Sequence, residues 1–285
     1  MTDFAYFPGC ALKGTTPEYD QSAQIVSRAL GIELKEIPDW NCCGAAPAHS
    51  VNSLLAAALP ARNLVLAGKM GLDVVAPCPA CFGRLKYVSK RCQAETQFRD
   101  LVNQTLDEPY TGGIGVKSLL QVFSETVDPQ NLSSLVKHPL AGMKIAPYYG
   151  CLTVRPAEIT EFDDAENPTS MDKLLRICGA EIVDFPFKTE CCGAAYALTR
   201  REVDIRLSGT ILDLAIAQGA NAIAVACPLC HQNLDLRQGQ IEVTRRQKFG
   251  IPIYYFTQLI GLALGFSVKD MGIDRHAVDA TKLVG

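Results

Sequence analysis

A chain of 285 residues, 48% of them apolar, is long enough for one large domain or two ordinary ones. Its net charge of −3, with 20% charged residues, offers no basic field for a nucleic-acid backbone, so no nucleic-acid partner is expected. The opening MTDFAYFPGC lacks the marks of a secretory signal, and apolar stretches such as LIGLALGF (259–266) fall far short of the roughly eighteen residues of a membrane span. The expectation is a cytoplasmic protein with no direct membrane span.

The first predicted element follows FPGC, which ends at Cys10. In TTPEYDQSAQIVSRALG, Thr16 suits an N-cap, Pro17 the first helical position and Gly31 the stop, and Ala23, Ile25, Val26, Ala29 and Leu30 recur at helical spacing. IELKEIP (32–38) alternates as a short strand does. The pair Cys42–Cys43 follows, then a helix over 53–71 that Pro60 is expected to kink or delay. LDVVAPC (72–78) reads as an apolar strand leading into the turn Cys78-x-x-Cys81. The plan then repeats, with a helix over 170–179, a strand over 180–185, a helix near 202–218 and a strand over 222–227.

The repeat is also visible residue by residue. FPGC resembles YYGC (148–151), NCCGAA (41–46) resembles ECCGAA (190–195), and VVAPCPAC resembles AVACPLC. The cysteine spacings are sharper still. Cys10 is followed after 31 residues by Cys42 and Cys43, then after 34 by Cys78 and two later by Cys81. Cys151 is followed after 39 by Cys191 and Cys192, then again after 34 by Cys227 and two later by Cys230. The fold class is therefore α/β, with two pseudo-symmetric domains from an internal duplication, each a small parallel sheet with helices. The join is placed near VKHPLAG (136–142), giving domains 1–139 and 140–285.

Twelve cysteines without a signal sequence point to metal or redox chemistry rather than a disulfide scaffold. Two stand outside the frame: Cys178 reads as a small core residue and Cys92 as a free thiol near a helix. Five thiols per half exceed the four of a closed zinc site. Neighbouring Cα atoms lie only about 3.8 Å apart, so a vicinal pair is hard to aim at one tetrahedral ion. A polynuclear iron–sulfur cluster removes that difficulty, since adjacent sulfurs bind different irons, although common clusters take four cysteines. Zinc and dithiol chemistry are the competing readings.

The doubled frame resembles the CCG cysteine-rich domain of the heterodisulfide reductase B-subunit family, over nearly the whole chain. The resemblance implies a noncubane [4Fe–4S] cluster in each half. Cys10, Cys42, Cys43, Cys78 and Cys81 would hold the first cluster, and Cys151, Cys191, Cys192, Cys227 and Cys230 the second. It also implies a catalytic subunit that cleaves a disulfide, or oxidises thiol or sulfane sulfur in reverse. The wording of DWNCCGAA and NPTSMDKLL (167–175) is similar to bacterial members, many of which serve sulfur-oxidising complexes that carry sulfur on lipoate-binding proteins. Expected partners are a ferredoxin-like [4Fe–4S] subunit and a flavoprotein, because no ferredoxin-type cysteine run is present. The alternative is an electron-transfer subunit linking a partner dehydrogenase to a quinone or a ferredoxin-like carrier. Lys13 is a candidate contact for an acidic substrate, and His231 for a cluster sulfur; His49 carries no clear signal. The acidic segment AEITEFDDAENP (157–168) reads as a solvated loop, or as a lid or docking edge.

Overall fold

Two four-stranded, all-parallel sheets carry the chain, in a computed structural model that describes residues 2–284 (at position 46, the backbone alone). The first sheet contains β1 (Thr2–Tyr6), β2 (Ile32–Glu36), β3 (Val74–Ala76) and β4 (Val116–Ser118), in the order β2-β1-β3-β4. The second contains β5 (Lys144–Tyr148), β6 (Glu181–Ile182), β7 (Ala222–Val225) and β8 (Ile253–Tyr255), in the order β6-β5-β7-β8. One topology is thus used twice. β3 and β7 are short runs buried throughout, as strands covered by helices on both faces must be.

The expected helices form, with local causes. Pro17 opens Pro17–Ala29, although the Thr16 hydroxyl is buried and caps nothing. Helix Ser53–Met70 is N-capped by Asn52, whose Oδ1 accepts from the backbone N–H groups of Leu54 and Leu55. It begins at Ser53 and runs through Pro60, so the proline does not delay it. The strand expected over 180–185 shrinks to Glu181–Ile182. Strands β1, β4, β5 and β8 add to those expected from the sequence.

One core cluster runs through both halves, and the first half has a second cluster of its own. Helix Pro17–Ala29 of the first half packs on Phe256–Ala263 of the second, and helix Ser170–Ile177 packs in the corresponding way on Leu119–Thr126. This reciprocal exchange is what a rough dyad requires. Along the seam the Tyr19 and Tyr255 rings stack at 4.0 Å and 5°, and Ser22 and Thr257 hydroxyls lie 2.8 Å apart. The acidic segment also reaches the first half, at helix Pro79–Ala94. Glu161 pairs with Lys90 at 2.6 Å and Lys86 at 3.2 Å, while Lys90 also donates to the Glu158 carbonyl. Most of the segment is exposed to solvent, and through Glu161 it clasps the second half to the first. No helix among the described residues is long and apolar enough to cross a membrane.

Candidate metal centres

In each sheet the order reverses beside the first strand, and in such folds ligands gather beyond the carboxyl ends at that point. The cysteines follow this rule. Cys10 lies just past β1, in the short helix Gly9–Gly14; Cys42 and Cys43 lie in the loop after β2; Cys78 and Cys81 follow β3. Cys151, Cys191–Cys192 and Cys227–Cys230 follow β5, β6 and β7 in the same way. All twelve are free thiols.

The sulfurs of each set meet. In the first set Cys42 Sγ lies 3.9 Å from Cys10 Sγ and Cys43 Sγ 3.3 Å from Cys81 Sγ, with Cys78 against Cys81. In the second, Cys192 Sγ lies 3.5 Å from Cys230 Sγ, Cys191 bonds to Cys151, and Cys227 to Cys230. Among the described residues, no three His, Cys, Asp or Glu side chains are arranged to hold one metal ion. The thiols meet as neighbouring pairs, an all-sulfur donor set that fits a polynuclear centre better than one tetrahedron.

Within the pairs the protons are unequally held. The contact with Cys81 holds Cys43 down at about 7, and the contact with Cys151 holds Cys191 at about 6. Burial, then Cys42, pushes Cys10 up to about 11. Thiolate is the metal-binding form, and contacts within the sets favour it at Cys43, Cys78, Cys191 and Cys192. Cys178, by contrast, is pushed up to about 12 by burial, and burial also raises Cys92. Both are buried and stand apart from the two sets, as core thiols do.

Glycine is required beside the sulfurs. Gly44 and Gly193, which complete the two CCG turns, have φ of +78° and +87°. Gly150, at φ +71°, precedes Cys151, and a Cβ there would lie 2.9 Å from Cys230 Sγ; Gly9 stands in the same relation to Cys81 Sγ. Gly150→Ala is therefore expected to lower the iron bound by the second set alone, read as iron per chain after anaerobic purification, with the circular dichroism spectrum retained.

Other sequence candidates are drawn elsewhere. Lys13 is held by Asp20 at 3.1 Å and Glu36 at 2.8 Å. His231 Nε2 meets the Ile253 carbonyl at 3.1 Å and its ring stacks on Tyr255, so it hydrogen-bonds no sulfur. His49 accepts from Arg84 at 2.7 Å. Two further residues bear on the sites without standing out in the sequence. Asn233, three positions past Cys230, donates to the Cys192 carbonyl at 3.2 Å and faces its sulfur at 3.7 Å. Its position one helical turn beyond the CxxC motif was the available signal. Tyr19 is fully buried on the seam and donates to the carbonyl of Ala226 at 3.1 Å. Burial, then the Cys227 and Cys78 thiols, raise its hydroxyl well above the usual phenol range, so thiols of both halves act on one side chain.

Comparison with known proteins agrees with this geometry. The cysteine-rich domain family CCG matches residues 4–86 and 145–235, which include all ten framed cysteines. The chain is 34% identical to the 8-methylmenaquinol:fumarate reductase membrane anchor subunit of Wolinella succinogenes, over 99% of both chains. It is 30% identical to the B subunit of the ferredoxin:CoB-CoM heterodisulfide reductase of Methanosarcina mazei, over 98% of this chain and 94% of that one. A solved structure of a hypothetical protein from Helicobacter pylori has the same fold, with a TM-score of 0.78 at 14% identity; it covers 98% of this chain, which spans about half of it (52%). With two copies of the domain and full-length relatives of these kinds, the chain belongs to the CCG cysteine-rich domain family, in the duplicated form of the heterodisulfide reductase B subunits.

Proposed function

We propose that this chain is an iron–sulfur subunit of a multi-subunit oxidoreductase. Cys10, Cys42, Cys43, Cys78 and Cys81 hold one noncubane [4Fe–4S] cluster, and Cys151, Cys191, Cys192, Cys227 and Cys230 hold the second. Each half, 1–139 and 140–285, is then the unit that carries one cluster. The observation that supports this most directly is the placement of two five-thiol sets at equivalent strand ends, with Tyr19 of the first half bonded to the carbonyl of Ala226, the residue before Cys227. Bound there, the clusters supply one-electron steps. Opening a disulfide takes two electrons and two protons and leaves two thiols, so two centres flanking one seam suit disulfide cleavage, or thiol oxidation in reverse. The chain's own part is to fix the halves through Tyr19, Tyr255 and the Glu161 clasp, and to keep Cys10, Cys42 and Cys191 exposed. The electrons arrive from, or leave to, separate ferredoxin-like and flavoprotein chains.

A second reading is an electron-transfer subunit that links a partner dehydrogenase to a quinone or its quinol. The 34% relative named as a menaquinol:fumarate reductase subunit favours it. The two readings separate in one experiment. Anaerobically purified protein is expected to hold about eight irons, two [4Fe–4S] clusters. Its EPR spectrum is then recorded with small thiols and disulfides, and separately with a naphthoquinol. A spectral change with thiols supports the first reading and reduction by the quinol the second. Protein without iron and sulfide sinks both.

A further inference from the structure

Beside the first cysteine set lies a groove of about 550 Å³, within the roughly 300–1,000 Å³ range of small-molecule sites. Its walls are Leu54, Leu55, Leu59 and Leu106, and its polar edge carries Asn52 and Arg62. Asn41, also on the lining, adjoins Cys42 and donates to the Cys42 carbonyl at 2.9 Å. We propose that this groove binds the ring of a quinone or its quinol.

The polar groups suit such a ring. Asn52 Oδ1 is used up as the helix cap, which fixes the side chain and leaves its NH₂ group to donate outward. The Arg62 guanidinium is held by Asp39 and by Asn41 Oδ1 at 3.1 Å through its Nη atoms, so Nε–H is spare. A quinone is flat and apolar with two carbonyl acceptors, which is what leucine walls with two fixed donors would accommodate. Leu55 is 42% exposed, a large apolar side chain left uncovered at the rim.

The second half shows that this chemistry is not a by-product of the fold. The equal 34-residue spacing registers position 52 with 201 and 55 with 204. There Arg201 replaces Asn52, and Asp204, buried and paired with Arg237 at 2.9 Å, replaces Leu55. A groove of about 390 Å³ on the second half, lined by Arg201, Glu202, Ile205, Arg206, Thr244 and Arg245, opens on a different face of helix Arg201–Ala217 and shares only position 201 with the register of the first.

The proposal rests on the quinone-linked reading above. In the oxidative direction both O–H bonds of the quinol break, two protons pass to solvent, and two electrons leave one at a time for the iron–sulfur centre of the first set and on to a partner electron carrier.

The test is photolabelling of the anaerobic, cluster-loaded full chain with an azido-naphthoquinone, mapped by mass spectrometry. Label is expected within 52–62 and 105–106, to saturate, and to be displaced by an unlabelled naphthoquinone. Leu55→Glu and Ala58→Trp are each expected to lower it at least tenfold while iron content and the thermal midpoint stay as in wild type. Label in the arginine groove or the seam, or label indifferent to both variants, overturns the proposal. So does label on the isolated chain that vanishes in the co-purified complex, which assigns the groove to a partner chain. Should a naphthoquinol reduce the clusters while label falls elsewhere, the quinone-linked reading stands and the groove is wrong. Absence of both reduction and label removes the reading itself.

Discussion

Cys81→Ala and Cys230→Ala should each remove about half of the protein's iron, roughly four of eight atoms, whereas Cys92→Ala and Cys178→Ala should remove none. The argument is positional. Cys81 contacts both Cys43 and Cys78, and Cys230 contacts both Cys192 and Cys227, so each lies at the middle of its set. Removing either leaves a gap where two pairs meet. Cys92 and Cys178 are equally buried but lie within helix Pro79–Ala94 and at the end of Ser170–Ile177, away from the other thiols. The measurement is iron and acid-labile sulfide per chain, with EPR of the reduced protein to tell which centre survives. Equal iron loss in all four variants would refute the ligand assignment.

Lys188→Ala is expected to cost ~3–5 kcal/mol of stability, because it leaves one member of a buried ion pair without its partner. Lys188 Nζ lies 2.7 Å from Asp172 Oδ2 and donates to the Pro168 carbonyl at 2.9 Å, and both side chains of the pair are nearly inaccessible. Asp172 also accepts from the Tyr149 hydroxyl at 2.8 Å, and the Lys188 carbonyl accepts from the backbone N–H groups of Tyr149 and Gly150. The pair therefore braces the turn that presents Cys151. Denaturant unfolding gives the loss directly, and the double variant Lys188→Met with Asp172→Asn should recover part of it, since no lone charge is then buried. Iron should leave the second set before the first as denaturant rises. A Lys188→Ala protein with unchanged midpoint would show that the pair is solvated in practice.

These two effects differ in how far the sequence announces them. The ten framed cysteines are legible from spacing, because the gap between a vicinal pair and a CxxC turn is preserved by the helix and strand that fill it. Lys188 carries no such mark. Its importance depends on Asp172, sixteen residues earlier, lying in the same buried layer. Lys13 and His231 stand out because they lie close to cysteines in the chain, yet Asp20, Glu36 and Ile253 claim them. Adjacency in the chain does not fix the direction of a side chain once the helix Gly9–Gly14 or Pro228–Asp235 has set its face.

By itself the sequence determined the duplication, the α/β class, the principal helices and the two sulfur quintets, since periodicity, caps and spacing are all properties of contiguous residues. Strands β1, β4, β5 and β8 were missed because runs of three to five residues, mostly buried, carry little periodicity to read. Only the tertiary structure decided that the halves exchange helices across a shared core, that Tyr19 reaches a carbonyl 207 residues away, and that the acidic segment is a clasp. Those outcomes come from the burial of faces that each half could not cover alone, and burial selects partners by shape and charge, not by their distance along the chain.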